Sequence, residues 1–291
     1  MKNSVRYILF VLFICGMPVI TVSQSCFDVD VNSGEVYPVD SYDVCFEGNP
    51  PFARCFMPAD SLRTGCSVVA LPGGGYGGLV FRQGGYDWAS FFNKKGIALF
   101  VLHYRFPEGD CRRPIADVRK MFDLIKRNAL EWRCDTAQMG IMGFSAGGHL
   151  AAVMATHPEF GVLPEFQVLF YPVITMDEAY TDKGSRERFL GMHPSPETVD
   201  FYSCEKQVDK TTPPAILLLG GQDGVVSSLN ALNYYKALLE KGVPAALHAY
   251  PSYWHGWGLH DGFPYVEDAC HSLSVWLDEC ILNSERFRLT V

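Results

Sequence analysis

A serine hydroxyl is a poor nucleophile until a neighbouring base takes its proton and nearby dipoles stabilise the charge that develops on the group it attacks. Ser145 stands where both could be arranged, in the run MGIMGFSAGGHLAAVMA at 139–155. Apolar Met139, Ile141 and Met142 read as the end of a buried strand, Gly143 breaks it, and the small residues after Ser145 open a helix. Strand, sharp turn and helix in that order expose the hydroxyl at the tip. The following backbone N–H groups then aim at the same point, and the helix N-terminus favours negative charge there. A side chain on either near neighbour of the serine would collide with the adjoining strand or helix, which is the reason for glycine at Gly143 and Gly147. A chain with 27 glycines can produce such a pentapeptide by chance, so the partners of Ser145 must be sought elsewhere.

A base and a carboxylate would complete the proton path, the imidazole accepting the serine proton and the carboxylate orienting the imidazolium that forms. Both must be delivered by the elements around them. Apolar runs at 67–71, 97–104, 166–174, 215–219 and 245–250 alternate with helical patterns at 86–95, 114–132, 230–241 and 264–282. That alternation predicts an α/β domain with a mainly parallel sheet covered by helices on both faces, preceded by antiparallel strands near 35–37 and 53–57. About forty residues separate the strand ending near Ile174 from the one starting at Ala215, more than a strand-to-helix connection needs, so 176–212 is expected to form a cap or lid. Functional groups in such sheets gather beyond the carboxyl ends of the strands. Four candidates fall there: the glycine loop at 73–75, Ser145, Asp223 and the turn Tyr253-Trp254-His255-Gly256. The glycine loop lacks the lysine of a phosphate-binding loop, which leaves a flexible turn or backbone N–H groups brought close to a reacting oxygen. Ser145, Asp223 and His255 follow the chain order of an α/β-hydrolase triad. His149 reads as packing or capping, His103 as structural, and the Gly-Trp-Gly context favours His255 over His260. Asp182 and Asp209 are rival acids that end no strand. Tyr76, Tyr253 and Trp254 would crowd the space for an acyl chain, and Trp254 and Trp257 would either stack on sugar rings or pack in a core.

With 48% hydrophobic and 19% charged residues the chain can bury a sizeable core, and its net charge of −8 without a Lys/Arg cluster excludes nucleic acid as a partner. Lys2 and Arg6, an apolar run over 8–20 and small residues at 21–23 match a secretory signal peptide of residues 1–23, the run being too short to span a membrane. The mature chain, expected as one domain over 24–291, would then be secreted or periplasmic. Lipid attachment at Cys26 is disfavoured because Ser23 stands where such a signal has an aliphatic residue. Of ten cysteines, Cys15 lies in this leader. None of the rest shows the paired C-x-x-C spacing of a zinc site, so no metal is expected. Cys270 and Cys280 lie about 15 Å apart along one helix, too far to bridge. Cys26, Cys45, Cys55 and Cys66 are the better source of disulfides.

The segments LPGGGY at 71–76, HYRFP at 103–107, GFSAGGHLAA at 143–152, YPVITM at 171–176, TPPAILLLGGQDGVV at 212–226 and HGWG at 255–258 together resemble secreted α/β-hydrolase esterases, close to bacterial acetyl-xylan esterases and more distantly to hormone-sensitive-lipase-like esterases. The resemblance implies an α/β-hydrolase fold, Ser145 as nucleophile, Asp223 as acid and His255 as base. It also implies an oxyanion hole from the backbone N–H of Ala146 and of Gly74 or Gly75. It further implies an acyl-enzyme mechanism without metal or organic cofactor, acting on a small ester or an acetylated oligosaccharide. Where such relatives commonly have Gly-Gly before the histidine, this chain has Tyr253-Trp254. A serine peptidase or feruloyl esterase on the same fold, and a non-catalytic binding protein, are the alternatives.

Overall fold

The computed structural model describes residues 25–39 and 51–283. The expected leader and Cys45 lie outside them. Among the described residues nine strands form one sheet: β1 (Ser25–Asp30), β2 (Val36–Pro38), β3 (Phe52–Met57), β4 (Ser67–Leu71), β5 (Ala98–His103), β6 (Met139–Phe144), β7 (Gln167–Phe170), β8 (Ala215–Gly220) and β9 (Ala245–Tyr250). Their spatial order is β2-β1-β3-β5-β4-β6-β7-β8-β9. The first three pair antiparallel, as does β3 with β5, whereas β4 through β9 run parallel. Fully apolar sequences such as AILLLG in β8 are buried along their whole length, as a strand covered on both faces must be.

The crossovers carry α1 (Ala89–Lys94), α2 (Arg112–Arg127), α3 (Ala129–Trp132), α4 (Ala146–Thr156), α5 (Lys183–Leu190), α6 (Pro196–Tyr202) and α7 (Leu229–Glu240), and α8 (Val266–Trp276) follows the last strand. Helix α2 begins near Pro114, whose missing N–H is no loss in a first turn, and buries Ile115, Val118, Met121, Phe122, Leu124 and Ile125 as one face. Helix α4, AGGHLAAVMAT, is buried on every side, which only a helix of small and apolar residues tolerates. The expected continuous helix over 114–132 is split at Asn128, whose side chain donates to the Leu124 carbonyl at 2.9 Å.

After β4 the chain moves to β5 on one side of it, then returns past it to β6 on the other. That reversal opens a crevice beyond the carboxyl ends of β4 and β6, where α/β sheets bind ligands. Leu71 pairs with Gly143 in register, so the glycine loop leaves the sheet beside the turn that carries Ser145.

Two further expectations need correction. The strand expected over 166–174 ends at Phe170, because Tyr171 adopts φ 36° and turns the chain out of the sheet. Val173 and Ile174 are buried without being paired, and burial alone made them read as strand. The disulfides expected near the N-terminus are also absent among the described residues: Cys26, Cys55 and Cys66 are free thiols. In the β1–β3 register Cys26 lies opposite Phe56 and Phe27 opposite Cys55, which sends the two cysteine side chains to opposite faces of the sheet.

Candidate active site

Ser145 is the N-cap of α4 with φ 53° and ψ −119°, a conformation that costs a residue bearing a side chain on the order of 1–3 kcal/mol. The surroundings hold it there. Its N–H donates to the Phe170 carbonyl at 3.0 Å, and its carbonyl accepts from Val173 N–H at 3.1 Å and His149 N–H at 3.2 Å. A Cβ on Gly143 would overlap the Gly147 carbonyl, and one on Gly147 would overlap the Leu71 carbonyl. Helix, strand and turn therefore close on one another through these two glycines.

Asp223 lies just beyond β8 and His255 in the loop beyond β9, neighbouring strands paired as far as Gly220 and Tyr250. The two loops are laced together by Gln222 N–H to Ser252 O at 3.0 Å and Gly224 N–H to Tyr253 O at 3.2 Å. The Asp223 side chain is 1% exposed, and its Oδ1 accepts the backbone N–H groups of Val225 at 2.8 Å and Val226 at 3.0 Å. Its Oδ2 is 2.7 Å from His255 Nδ1. A carboxylate can only accept, so Nδ1 carries the proton and the neutral ring leaves Nε2 to accept from the Ser145 hydroxyl, 2.9 Å away. The Tyr171 ring packs edge-on against His255 at 4.8 Å and its hydroxyl accepts from Gly258 N–H at 3.3 Å, which steadies the loop carrying the imidazole. Hydroxyl, imidazole and carboxylate thus form one unbroken chain across three strand ends.

The rival residues are engaged elsewhere. Asp182 accepts from Ser185 N–H at 2.7 Å and caps α5, and Asp209 accepts from the Thr211 N–H at 2.7 Å in its own turn. His260 accepts from Gly262 N–H at 3.0 Å. His103 is held by the Tyr86 hydroxyl, and burial together with Arg54 pushes its basicity well below that of an ordinary histidine. His149 is completely buried between the Tyr76 hydroxyl at 2.8 Å on Nδ1 and the Tyr202 carbonyl at 2.9 Å on Nε2; burial lowers its pKa to about 4, against the opposing pull of that carbonyl.

Gly73 O accepts from Val80 N–H at 2.9 Å and Gly74 O from Gly77 N–H at 3.1 Å. In a trans peptide the carbonyl and the next residue's N–H point in opposite directions, so these bonds fix where the N–H groups of Gly74 and Gly75 aim. The Tyr104 hydroxyl donates to Pro72 O at 2.7 Å, and Arg105 is clamped to buried Asp117. HYRFP thereby braces the glycine loop from behind. The first-turn N–H of Ala146, like any at a helix start, has no acceptor within its own helix.

Two of the expected substrate residues are misplaced. Trp257 is 0% exposed, stacked on Phe263 at 4.4 Å and edged by Tyr171, so it presents no face to a sugar. Tyr76 is likewise buried, stacked on Phe189, and cannot wall an acyl pocket. Trp254 is partly exposed against His260 and Phe263, whereas Tyr253 is 77% exposed and stands out toward solvent instead of crowding the serine. Tyr171, Tyr104 and the Arg105–Asp117 pair were missed as site residues. The motifs containing Tyr171, Tyr104 and Arg105 were visible, but which members would brace the site depends on contacts between distant strands.

Among the described residues no group of three or more His, Cys, Asp or Glu stands where it could hold a metal, and no helix is long and apolar enough to cross a membrane.

Comparison with known proteins bears on the fold and the family. An acetylxylan esterase of Xylanibacter ruminicola is 39% identical over 227 residues, covering 77% of this chain and 47% of the relative. Endo-1,4-beta-xylanase B of Butyrivibrio fibrisolvens is 32% identical over 221 residues, covering 71% of this chain and 34% of the relative. The chain thus spans about half or less of the length of these curated relatives. The crystal structure of an acetyl ester-xyloside bifunctional hydrolase from Caldicellulosiruptor lactoaceticus superposes with a TM-score of 0.75 at 29% identity, covering 86% of this chain and 95% of that one. The BD-FAE family model matches residues 55–238, which hold strands β4 to β8 together with Ser145 and Asp223, and the chain belongs to that family, on the α/β-hydrolase fold.

Proposed function

We propose that this chain is a serine carboxylic-ester hydrolase that removes acetyl groups from plant polysaccharides or oligosaccharides through an acyl-enzyme. The observation that carries the reading is the hydrogen-bonded chain from Ser145 Oγ through His255 to Asp223, at 2.9 and 2.7 Å. In the first half-reaction Ser145 Oγ attacks the acetyl carbonyl while His255 Nε2 takes its proton. The tetrahedral oxyanion is met by the N–H groups of Ala146 and of Gly74 or Gly75, and collapse expels the sugar hydroxyl, which receives the proton from His255. Water then repeats the sequence, releasing acetate and restoring the serine. Asp223 keeps the imidazole in the productive tautomer throughout, and no metal or organic cofactor takes part.

The acetylated sugar is supported by relatives named for acetylxylan and xylan chemistry. Tyr253 and Trp254, next to the base in sequence and exposed at the rim, offer aromatic faces to the sugar rings flanking the ester. The N-terminal leader supports export to the periplasm or beyond, and N-terminal sequencing of secreted material, expected to begin near Gln24, tests it. The activity is tested by incubating purified protein with acetylated xylan, a feruloylated oligosaccharide and a peptide amide and measuring the released acid or amine directly. Acetate from xylan is the expected product. Ferulate or amine as the dominant product would replace this substrate with one of the others, and inertness toward all three and toward a simple activated ester would mark a binding protein.

A further inference from the structure

The inserted segment between β7 and β8 reaches the glycine loop through the side chain of Arg188. Helix α5 is rigidly mounted: Asp182 caps it, Arg186 Nε donates to Met176 O at 2.9 Å, and Phe189 is buried against Tyr76. From this mount the exposed Arg188 sends Nη1 to the Gly75 carbonyl at 3.0 Å. Its Nε, Cδ and Cζ lie against Gly77, where a Cβ would meet them at 2.9, 3.2 and 3.3 Å. Its own carbonyl accepts from Gly109 N–H at 2.7 Å, fastening the same turn of helix to the loop after β5.

From these contacts we propose that Arg188 is a positioning residue for the oxyanion loop, so that the inserted helices help to hold the aim of the N–H groups that meet the tetrahedral intermediate. This rests on the hydrolase reading above. Gly73 and Gly74 carbonyls are held by backbone donors from within the loop itself, but Gly74 and Gly75 carry φ of 133° and 62°, torsions that leave a glycine backbone free to swing. A charge-assisted bond from a guanidinium to Gly75 O pins the following peptide plane from outside the loop. Arg188 touches neither Ser145 nor His255, so its influence passes through Gly75.

Because Arg188 is exposed, its replacement leaves the core intact. Arg188→Ala is expected to lower kcat on 4-nitrophenyl acetate about tenfold with KM within about twofold, a fraction of the 100- to 1,000-fold that follows loss of a whole oxyanion donor. Arg188→Lys, which still offers a charged donor, should recover most of the loss. Gly77→Ala, which pushes the guanidinium off the loop while leaving Arg188 itself unsubstituted, should reproduce the defect. The double variant Gly77→Ala/Arg188→Ala should be no worse than Arg188→Ala alone, as expected when both act on one interaction. The rate of Ser145 labelling by a fluorophosphonate, whose P–O oxygen occupies the same hole as fluoride leaves, should fall in parallel. A rise in KM alone would assign Arg188 to substrate contact and overturn the proposal, as would unchanged kcat, failure of lysine to rescue, or additive losses in the double variant. If the unsubstituted protein labels with fluorophosphonate but hydrolyses no acetyl ester, the esterase reading fails while the labelling rates still decide the role of Arg188.

Discussion

At Ser145 two demands conflict. The nucleophile needs a side chain, and its φ of 53° with ψ of −119° suits a residue without one. Removing the hydroxyl by Ser145→Ala should abolish turnover but leave the strain, whereas Ser145→Gly should abolish turnover and relieve it. The glycine variant is therefore expected to be the more stable of the two by about 1 kcal/mol, read as a higher urea midpoint; an alanine variant equal or superior would mean that the turn is not strained. His255→Ala should cost on the order of 10,000-fold or more in kcat/KM, and Asp223→Asn a similar order, because an amide no longer demands a proton on Nδ1. A greater loss from Asp182→Asn or Asp209→Asn would move the acid to one of those residues. The types and chain order of Ser145, Asp223 and His255 were readable without coordinates because the chemistry restricts them to serine, carboxylate and imidazole. Tyr76 and Trp257 were misread for the opposite reason. An aromatic beside a catalytic residue in sequence faces either the site or the core, and only the turn of the backbone decides which; here both face inward.

At the scale of elements, the elbow was legible because its glycines are forced by close approach. Gly147 has no room for a Cβ, with the Pro72 carbonyl 2.5 Å from where it would lie and the Leu71 carbonyl nearer still. Those carbonyls end β4 and begin the glycine loop, so a methyl group at 147 must displace the strand or the helix from the site. Gly147→Ala is expected to lower stability by about 3 kcal/mol, the upper part of the usual range for overpacking, and to lower activity even where folded protein is recovered. Equilibrium urea unfolding alongside ester turnover measures both, and a variant with normal stability and rate would show that the elbow tolerates separation. The parallel strands were legible from their short apolar runs. The overlong reading of β7 was not avoidable by the same means, since Val173 and Ile174 are as buried as any strand residue although the chain has already turned at Tyr171. Helix α5 gave no functional sign at all, because Arg188 is an unremarkable surface arginine until the topology lays it on Gly75.

Across the whole molecule, three histidines are held neutral by burial. His149 has its pKa lowered to about 4, His103 is pushed well below the ordinary value of 6.5 by burial and by Arg54, and half-buried His248 is lowered by burial as well. Each binds a proton more readily in the unfolded chain than in the native one. Stability linked to them is therefore fully present above pH 6.5 and is lost progressively as the pH falls below it, for His149 down to about 4. For His149 the folded state gives a structural reason: with Nε2–H donating to the Tyr202 carbonyl, Nδ1 must be bare to accept from the Tyr76 hydroxyl, and a second proton there would turn that hydroxyl from donor to acceptor. The expected outcome is an unfolding free energy that declines between pH 6.5 and 5, with a slope from His149 approaching about 1.4 kcal/mol per pH unit. Near pH 5 unfolding should take up protons, about one of them at His149, counted from that slope or by calorimetry in buffers of different ionisation enthalpy. His149→Gln, which retains a donor and an acceptor but does not titrate, should reduce the uptake by about one proton and flatten the decline. An uptake at pH 5 that does not change in this variant would mean that His149 already carries its proton in the folded protein, and that the bond from Tyr76 runs in the other direction.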